Sequence, residues 1–331
     1  MIGQTRIRPI RRESIEGSAY DLFFATIGYE LRARYIAEHL SVSALERVAI
    51  GFESGRLFHY DENTRWYESA NFAVYHFDDD SFGRLAKQQL AKIANRKDRH
   101  ERIRVCVDFS SLTRVRMAML VRIFAEIRLP QTLEVDFLYS LAAFSPPPSS
   151  TVPNRHVGPV LPSFAGWWTA PERPLAAAVG LGYEENKALG AVEHVQASSI
   201  WTFAPASPVF AYSPALDQAN STLLNLVPSA NKFRYQVDRP FDTFIALESF
   251  TFGVTRNYNL VLLPFGPKVF ALCALLAGII HPEVAVWRVS GAEEATDRQA
   301  NGEVYGLGMT VGSHQDVSLD SEVQTLSTLA G

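Results

Sequence analysis

Cysteine is nearly absent: 331 residues contain only Cys106 and Cys273, each inside an apolar run. That excludes a disulfide framework and a cysteine zinc cluster, and it fits a reducing compartment. The histidines, His39, His59, His76, His100, His156, His194, His281 and His314, form no HxH or HExxH pair, so no metal site is expected. No GxGxxG follows a strand, and neither a GxxxxGK[ST] loop nor a GxSxG elbow is present. The dinucleotide fingerprint, the P-loop and the hydrolase elbow are therefore unsupported, and no cofactor is implied. The longest uncharged apolar run, 269–280, has twelve residues, against roughly 20 needed to cross a bilayer. It reads as a core helix, and no membrane partner is expected. The first fifteen residues are polar and arginine-rich without the apolar centre of a secretory signal, so a cytoplasmic location is expected.

What is present is ample core material, 47% hydrophobic against 20% charged, at a net charge of -4. Short β-branched or aromatic runs alternate with helical-period segments, the pattern of βαβ units around a parallel sheet. The fold class is α/β: two tandem Rossmann-like units with mainly parallel sheets, duplicated within one chain. Strands are predicted at 22–27, 47–52, 72–77, 103–109 and 133–138, then at 175–181, 200–203, 233–237, 260–263 and 284–289. Helices are predicted at 31–40, 82–95 and 114–128, then at 186–195, 215–226, 241–252 and 268–280. Unit 1 spans 1–145 with a basic amino-terminal arm, a proline-rich linker covers 146–155, unit 2 spans 156–290, and 291–331 supply an edge strand near 304–311 and an acidic tail.

Internal similarity supports the duplication. Gly28-Tyr29-Glu30 after the first strand recurs as Gly182-Tyr183-Glu184, and Arg114, which opens the helix after the fourth strand, lies opposite Lys268. Both matches keep an offset of 154 residues. Charge divides unevenly: 21 basic and 19 acidic side chains in the first 150 residues, 10 and 16 in the rest. Arg6, Arg8, Arg11 and Arg12 could touch nucleic acid or an acidic partner, or form a solvated arm.

Ligands of open α/β sheets bind beyond the carboxyl ends of the strands, where helix amino termini converge. Two segments fall there: Asp108-Phe109-Ser110-Ser111-Leu112-Thr113-Arg114 and Pro264-Phe265-Gly266-Pro267-Lys268. A cation in a first turn opposes the helix dipole, and a bound anion would remove the conflict at both Arg114 and Lys268. Alternatively both side chains turn out into water. Candidate ligand-binding residues are Gly28, Tyr29, Ser110, Ser111, Thr113, Arg114, Gly182, Tyr183, Gly266 and Lys268, with Gly266 leaving room for a ligand against the backbone. Candidate acid/base residues are Asp108, Glu30 and Glu184. The two glutamates can equally be helix caps, and Asp108 can equally pin its turn. Phe58, Trp66, Tyr67 and Tyr75 interleave with Arg56 and Arg65, as in a hairpin's packing face or a base-stacking stripe.

Paired units with Gly28-Tyr29-Glu30, the hydroxyl-rich Ser110-Ser111-Leu112-Thr113-Arg114 and their second-half counterparts resemble the CARF nucleotide-sensing domains of prokaryotic defence systems. The resemblance covers both halves to about residue 289 and implies a nucleotide ligand and a role in signalling or antiviral defence. Unlike CARF proteins that reach twofold symmetry by dimerising, this chain carries both units, and no nuclease motif is visible. Three functions stay open: a binding protein for a nucleotide or other phosphorylated small molecule, an enzyme processing a nucleotide or nucleoside in the same pocket, and a structural subunit docking a protein partner.

Overall fold

A computed structural model describes residues 5–146, 154, 156–166, 170–290 and 296–313. The first unit runs β1 (Thr5–Pro9), β2 (Ala19–Thr26), a 3-10 turn (Leu31–Arg34), α1 (Tyr35–His39), β3 (Ser43–Phe52), α2 (Tyr60–Ser69), β4 (Ala73–Phe77), α3 (Asp79–Ala94), β5 (Arg102–Asp108), α4 (Arg114–Glu126) and β6 (Thr132–Ala142). The second runs β7 (His156–Pro159), β8 (Leu175–Gly180), α5 (Lys187–Val195), β9 (Ser199–Ala206), α6 (Tyr212–Ala219), α7 (Ser221–Leu226), β10 (Lys232–Gln236), α8 (Pro240–Val254), β11 (Asn259–Pro264), α9 (Lys268–Ile280) and β12 (Ala285–Ser290). A last strand, β13 (Ala300–Val311), returns to the first sheet.

The two sheets are wound alike. Five parallel strands lie in the order β4-β3-β2-β5-β6 in the first unit and β10-β9-β8-β11-β12 in the second. By position along each unit, both orders read 3-2-1-4-5, the Rossmann arrangement. Each sheet gains an antiparallel strand on its fifth member, β13 on β6 and β7 on β12, and β1 extends the first sheet beyond β13. Central strands covered on both faces need continuous apolar runs, and β11 is buried at every residue. One apolar core joins the units, because α9 packs against both α8 and α4. That position explains why its sequence is apolar on every side. Among the described residues no helix is long and apolar enough to cross a membrane.

Three expectations are corrected. Residues 300–311 are not an edge strand; β13 lies inside the sheet between β1 and β6. Nor are the amino-terminal residues 5–9 an arm, since β1 pairs with β13 and the Arg8 guanidinium donates to Asp136, which also accepts from the Tyr20 hydroxyl at 2.8 Å. The stretch around Trp66 and Tyr67 is neither a hairpin nor an exposed aromatic stripe but the helix α2, with Tyr60 and Tyr67 fully buried. Most of the linker and the acidic tail beyond residue 313 lie outside the described residues.

Candidate functional site

In both sheets the strand order reverses between the first and fourth parallel strands, so the turns after β2, β5, β8 and β11 open onto one crevice. The Gly-Tyr-Glu turns follow β2 and β8. Each is fixed by an asparagine from the helix region after the next strand. Asn63 Nδ2 donates to the carbonyls of Gly28 and Glu30, both at 2.9 Å, and Asn220 Nδ2 donates to the Gly182 carbonyl at 2.6 Å. Both asparagines are buried. This matching pair was invisible in the sequence because the two lie 157 residues apart, off the common offset, and one sits in the helix that went unrecognised.

The second pair of turns leads into α4 and α9, whose first residues are Arg114 and Lys268. Thr113 caps α4 by accepting from the Arg116 N–H at 3.1 Å. Before α9, Gly266 has φ +67°, and a Cβ there would lie 2.2 Å from the Leu181 carbonyl oxygen. Gly266 is therefore required by the packing of one loop on another, a closer constraint than access for a ligand.

The two cations cross over. Arg114 of the first unit donates from Nε to the Pro264 carbonyl at 3.0 Å and from Nη2 to the Gly266 carbonyl at 3.4 Å. Lys268 of the second unit donates from Nζ to the Ser110 carbonyl at 2.6 Å. Each unit's first-turn cation thus satisfies carbonyls in the corresponding loop of the other, and neither turns out into bulk water.

Above this brace lies a cavity of about 590 Å³. Its wall takes in Gly28, Tyr29, Glu30, Ser111, Thr113 and Arg114 from the first unit and Gly182, Tyr183, Glu184, Gly266 and Lys268 from the second. Two expected residues do not face it. Ser110 is fully buried, its hydroxyl accepting from the Ser140 N–H at 2.8 Å. Asp108 is also buried, one oxygen accepting from the Ser110 N–H at 2.9 Å and the other unpartnered. The carboxylate thus pins its turn, and burial raises its pKa to about 6.

Residues beyond the sequence reading complete the wall. Arg32 donates to Glu30 Oε2 at 2.5 Å and to the Ser140 carbonyl at 2.8 Å. Arg298, from the segment joining β12 to β13, reaches Glu30 Oε1 at 3.7 Å and donates to the Tyr183 hydroxyl at 2.6 Å. Its backbone carbonyl accepts from the Arg32 N–H at 3.4 Å, and the adjoining Asp297 meets His59 at 3.1 Å, so this segment ties the first unit's mouth to the second's tyrosine. Glu30 is consequently an ion-pair partner, and its side chain makes no capping hydrogen bond. In the sequence Arg298 lies in a stretch that reads as tail and the counterpart of Arg32 at the common offset is Asn186, so neither arginine stands out. Tyr183 stacks with Tyr212 at 5.5 Å between ring centroids, and both line the cavity with Tyr139.

The wall holds six basic side chains, Arg32, Arg114, Lys187, Lys268, Arg288 and Arg298, against two carboxylates, Glu30 and Glu184. In a chain of net charge -4 this is a local concentration of positive charge. Among the described residues no group of three His, Cys, Asp or Glu side chains could hold a metal.

No protein-family model and no curated protein sequence matches the chain. Among solved structures, it is similar to a Type III CRISPR defence DNA nuclease activated by cyclic oligoadenylate, with TM-score 0.44 and 9% identity over 78% of this chain. The match takes in 64% of the nuclease's own chain, so less than two thirds of that protein has a counterpart here.

Proposed function

We propose that the crevice between the units is a nucleotide-binding site and that the protein acts by holding one phosphorylated ligand against both units. The observation that carries this reading is the surplus of six basic side chains over two carboxylates around a cavity of about 590 Å³. Polar and charged groups in such a pocket select the ligand, and an anion bound there would meet a field already arranged for it. Tyr29, Tyr139, Tyr183 and Tyr212 line the same wall and give a base an aromatic surface to pack against. A signalling or antiviral defence setting is what the CARF resemblance of the strand-end motifs suggests.

The test is thermal unfolding against nucleoside mono-, di- and triphosphates, dinucleotides and pyrophosphate, with wild type beside Arg298→Ala and Arg288→Ala. A ligand at a hundred times its Kd stabilises by about 2.7 kcal/mol, a shift of several degrees that both variants should reduce. If no anion of the panel raises the Tm, the reading fails. Chromatography of the incubated nucleotides separates the binding protein, which returns its ligand intact, from an enzyme, which converts it.

A further inference from the structure

The floor of the crevice holds four cations around Glu30, with the Asp108 carboxylate buried beneath. Glu30 pairs with Arg32 and Arg298, and Arg114 is engaged with backbone carbonyls. Lys268 is left with one partner, the Ser110 carbonyl, and no carboxylate among the described residues forms an ion pair with it. The other charged groups facing it are Arg32, Arg114 and Arg298, with Asp108 below and Glu30 beside. Guanidinium groups do not deprotonate in proteins, whereas an ammonium does. When the crevice holds no anion, the excess charge is therefore relieved most cheaply by a proton leaving Lys268. The Ser110 contact survives that loss, because a neutral amine still donates a hydrogen bond, and its lone pair becomes available within the cavity.

We infer that Lys268 is a nucleophilic amine that forms an imine with a phosphorylated aldehyde or ketone entering the crevice. The inference rests on the anion-binding reading only for the phosphate, which the surrounding arginines would hold; the amine chemistry depends on the surroundings of Nζ. In the first step the Nζ lone pair adds to the carbonyl carbon, the carbonyl π pair moves to oxygen, and a proton passes from nitrogen to that oxygen. The resulting carbinolamine then expels its hydroxyl as water, and the nitrogen lone pair closes the carbon–nitrogen double bond. One carbonyl oxygen and two amine hydrogens leave as water, and no oxidant or reductant takes part. Burial in the crevice wall, with the arginines around it, brings the Lys268 pKa down to about 7, Glu30 acting in the opposite sense.

The probe is pyridoxal 5′-phosphate, a phosphorylated aldehyde with a visible imine band, trapped with cyanoborohydride and located by peptide mass spectrometry. The chain has six lysines, so each of the other five serves as an internal reference. At pH 7.5 a lysine near its ordinary pKa of about 10.4 is roughly one part in a thousand neutral, and Lys268 should be trapped at least tenfold faster than any of them. The rate should rise to a plateau with a midpoint near pH 7. Arg114→Met, which removes a neighbouring positive charge, should move the midpoint up, and Glu30→Gln should move it down. Trapping at Lys268 no faster than at the reference lysines, or a rate still climbing above pH 9, overturns the inference; both are read on wild type and need no variant to fold. A nucleotide that stabilises the protein while Lys268 stays unreactive defeats this inference alone. Selective trapping with no stabilisation by any nucleotide defeats the proposed function alone.

Discussion

Replacing Gly28 by alanine tests how closely the first Gly-Tyr-Glu turn packs on the loop before α4. A Cβ at position 28 would stand 2.7 Å from both Cβ and Oγ of Ser111 and 3.4 Å from Ala33 Cβ. Carbon atoms in contact prefer about 3.5–4.0 Å, so the new methyl is nearly 1 Å too close to a side chain with no flexible tip to swing aside. Gly28 does not have positive φ, so alanine brings no backbone strain and the clash stands alone. Overpacking of this kind costs about 1–3 kcal/mol. Both offending atoms belong to the Ser111 side chain, and its hydroxyl has no hydrogen-bond partner. Ser111→Gly should therefore cost little beyond the backbone freedom of a glycine, up to about 1 kcal/mol, while removing the obstacle. In a urea-denaturation cycle of wild type, both single variants and the double variant, Gly28→Ala/Ser111→Gly should be more stable than the sum of the singles by about 1–3 kcal/mol. Additivity within about 0.5 kcal/mol would refute the argument. Gly266→Ala provides the contrast: its obstacle is the Leu181 backbone oxygen and its φ is +67°, so no neighbouring side-chain deletion should rescue it.

Three further outcomes are expected. Binding of an anion seated directly on Lys268, rather than on the arginines, should weaken as pH rises through about 7, because that anion holds the proton the empty crevice gives up; the decline approaches tenfold per pH unit. Calorimetry from pH 6 to 9 with a dinucleoside monophosphate, whose diester does not titrate, measures it, and a flat profile counts against Lys268 as a ligand contact. Asp108 has its folded pKa raised to about 6 from the ordinary value of 3.8, so the folded state binds more protons between those values and stability should fall as pH rises from about 4 to 6; Asp108→Asn should flatten that slope in urea midpoints. Arg116, 1% exposed, donates to Asp79, to the Gly51 carbonyl and to the Phe77 carbonyl. Arg116→Met strands two carbonyls and should cost about 3–5 kcal/mol, whereas Asp79→Asn at the half-exposed end should cost under about 1 kcal/mol; equal losses would show that the ion pair, and not the carbonyls, matters.

Much of the architecture was legible because burial on both faces leaves a strong signal. The predicted helix 268–280 coincides with α9, since Gly266 and Pro267 mark its start and the apolar run ends where the helix does. One element, and the place of another, were illegible for definable reasons. In α2 the buried positions Tyr60, Asn63 and Tyr67 include an asparagine that faces inward to hold the Gly28 and Glu30 carbonyls, so the apolar stripe is broken by the residue the site needs. For β13 a strand near 304–311 is expected from the sequence, but its place inside the sheet is not, because the glycines 306 and 308 weaken the alternation of a strand paired on both sides. They are glycines because a Cβ at 306 would meet Leu138 Cδ2 at 2.9 Å and one at 308 would meet the Arg8 side chain at 2.7 Å. A strand covered by its neighbours' side chains reads as an edge when its own residues are taken alone.

The same contrast decides what the first-turn cations mean. Opposition to a helix dipole costs about 0.3–1 kcal/mol, and in the sequence an anion was one way to remove it. The structure supplies another: Arg114 donates as a charged group to the opposite unit's loop, a bond that contributes about 1.5–3 kcal/mol, and Lys268, once it gives up its proton, no longer opposes the dipole and keeps its hydrogen bond to the Ser110 carbonyl. That gain exceeds the dipole cost, so Arg114 and Lys268 would be retained as a brace between the units even if no anion ever bound. The case for an anionic ligand then rests more on Arg288, which lines the cavity, and on Arg298, whose Nε is buried without a partner although its Nη atoms link Glu30 to Tyr183. Substituting Arg288 should weaken ligand binding more than it loosens the fold, whereas substituting Arg298 or Arg114 should do both.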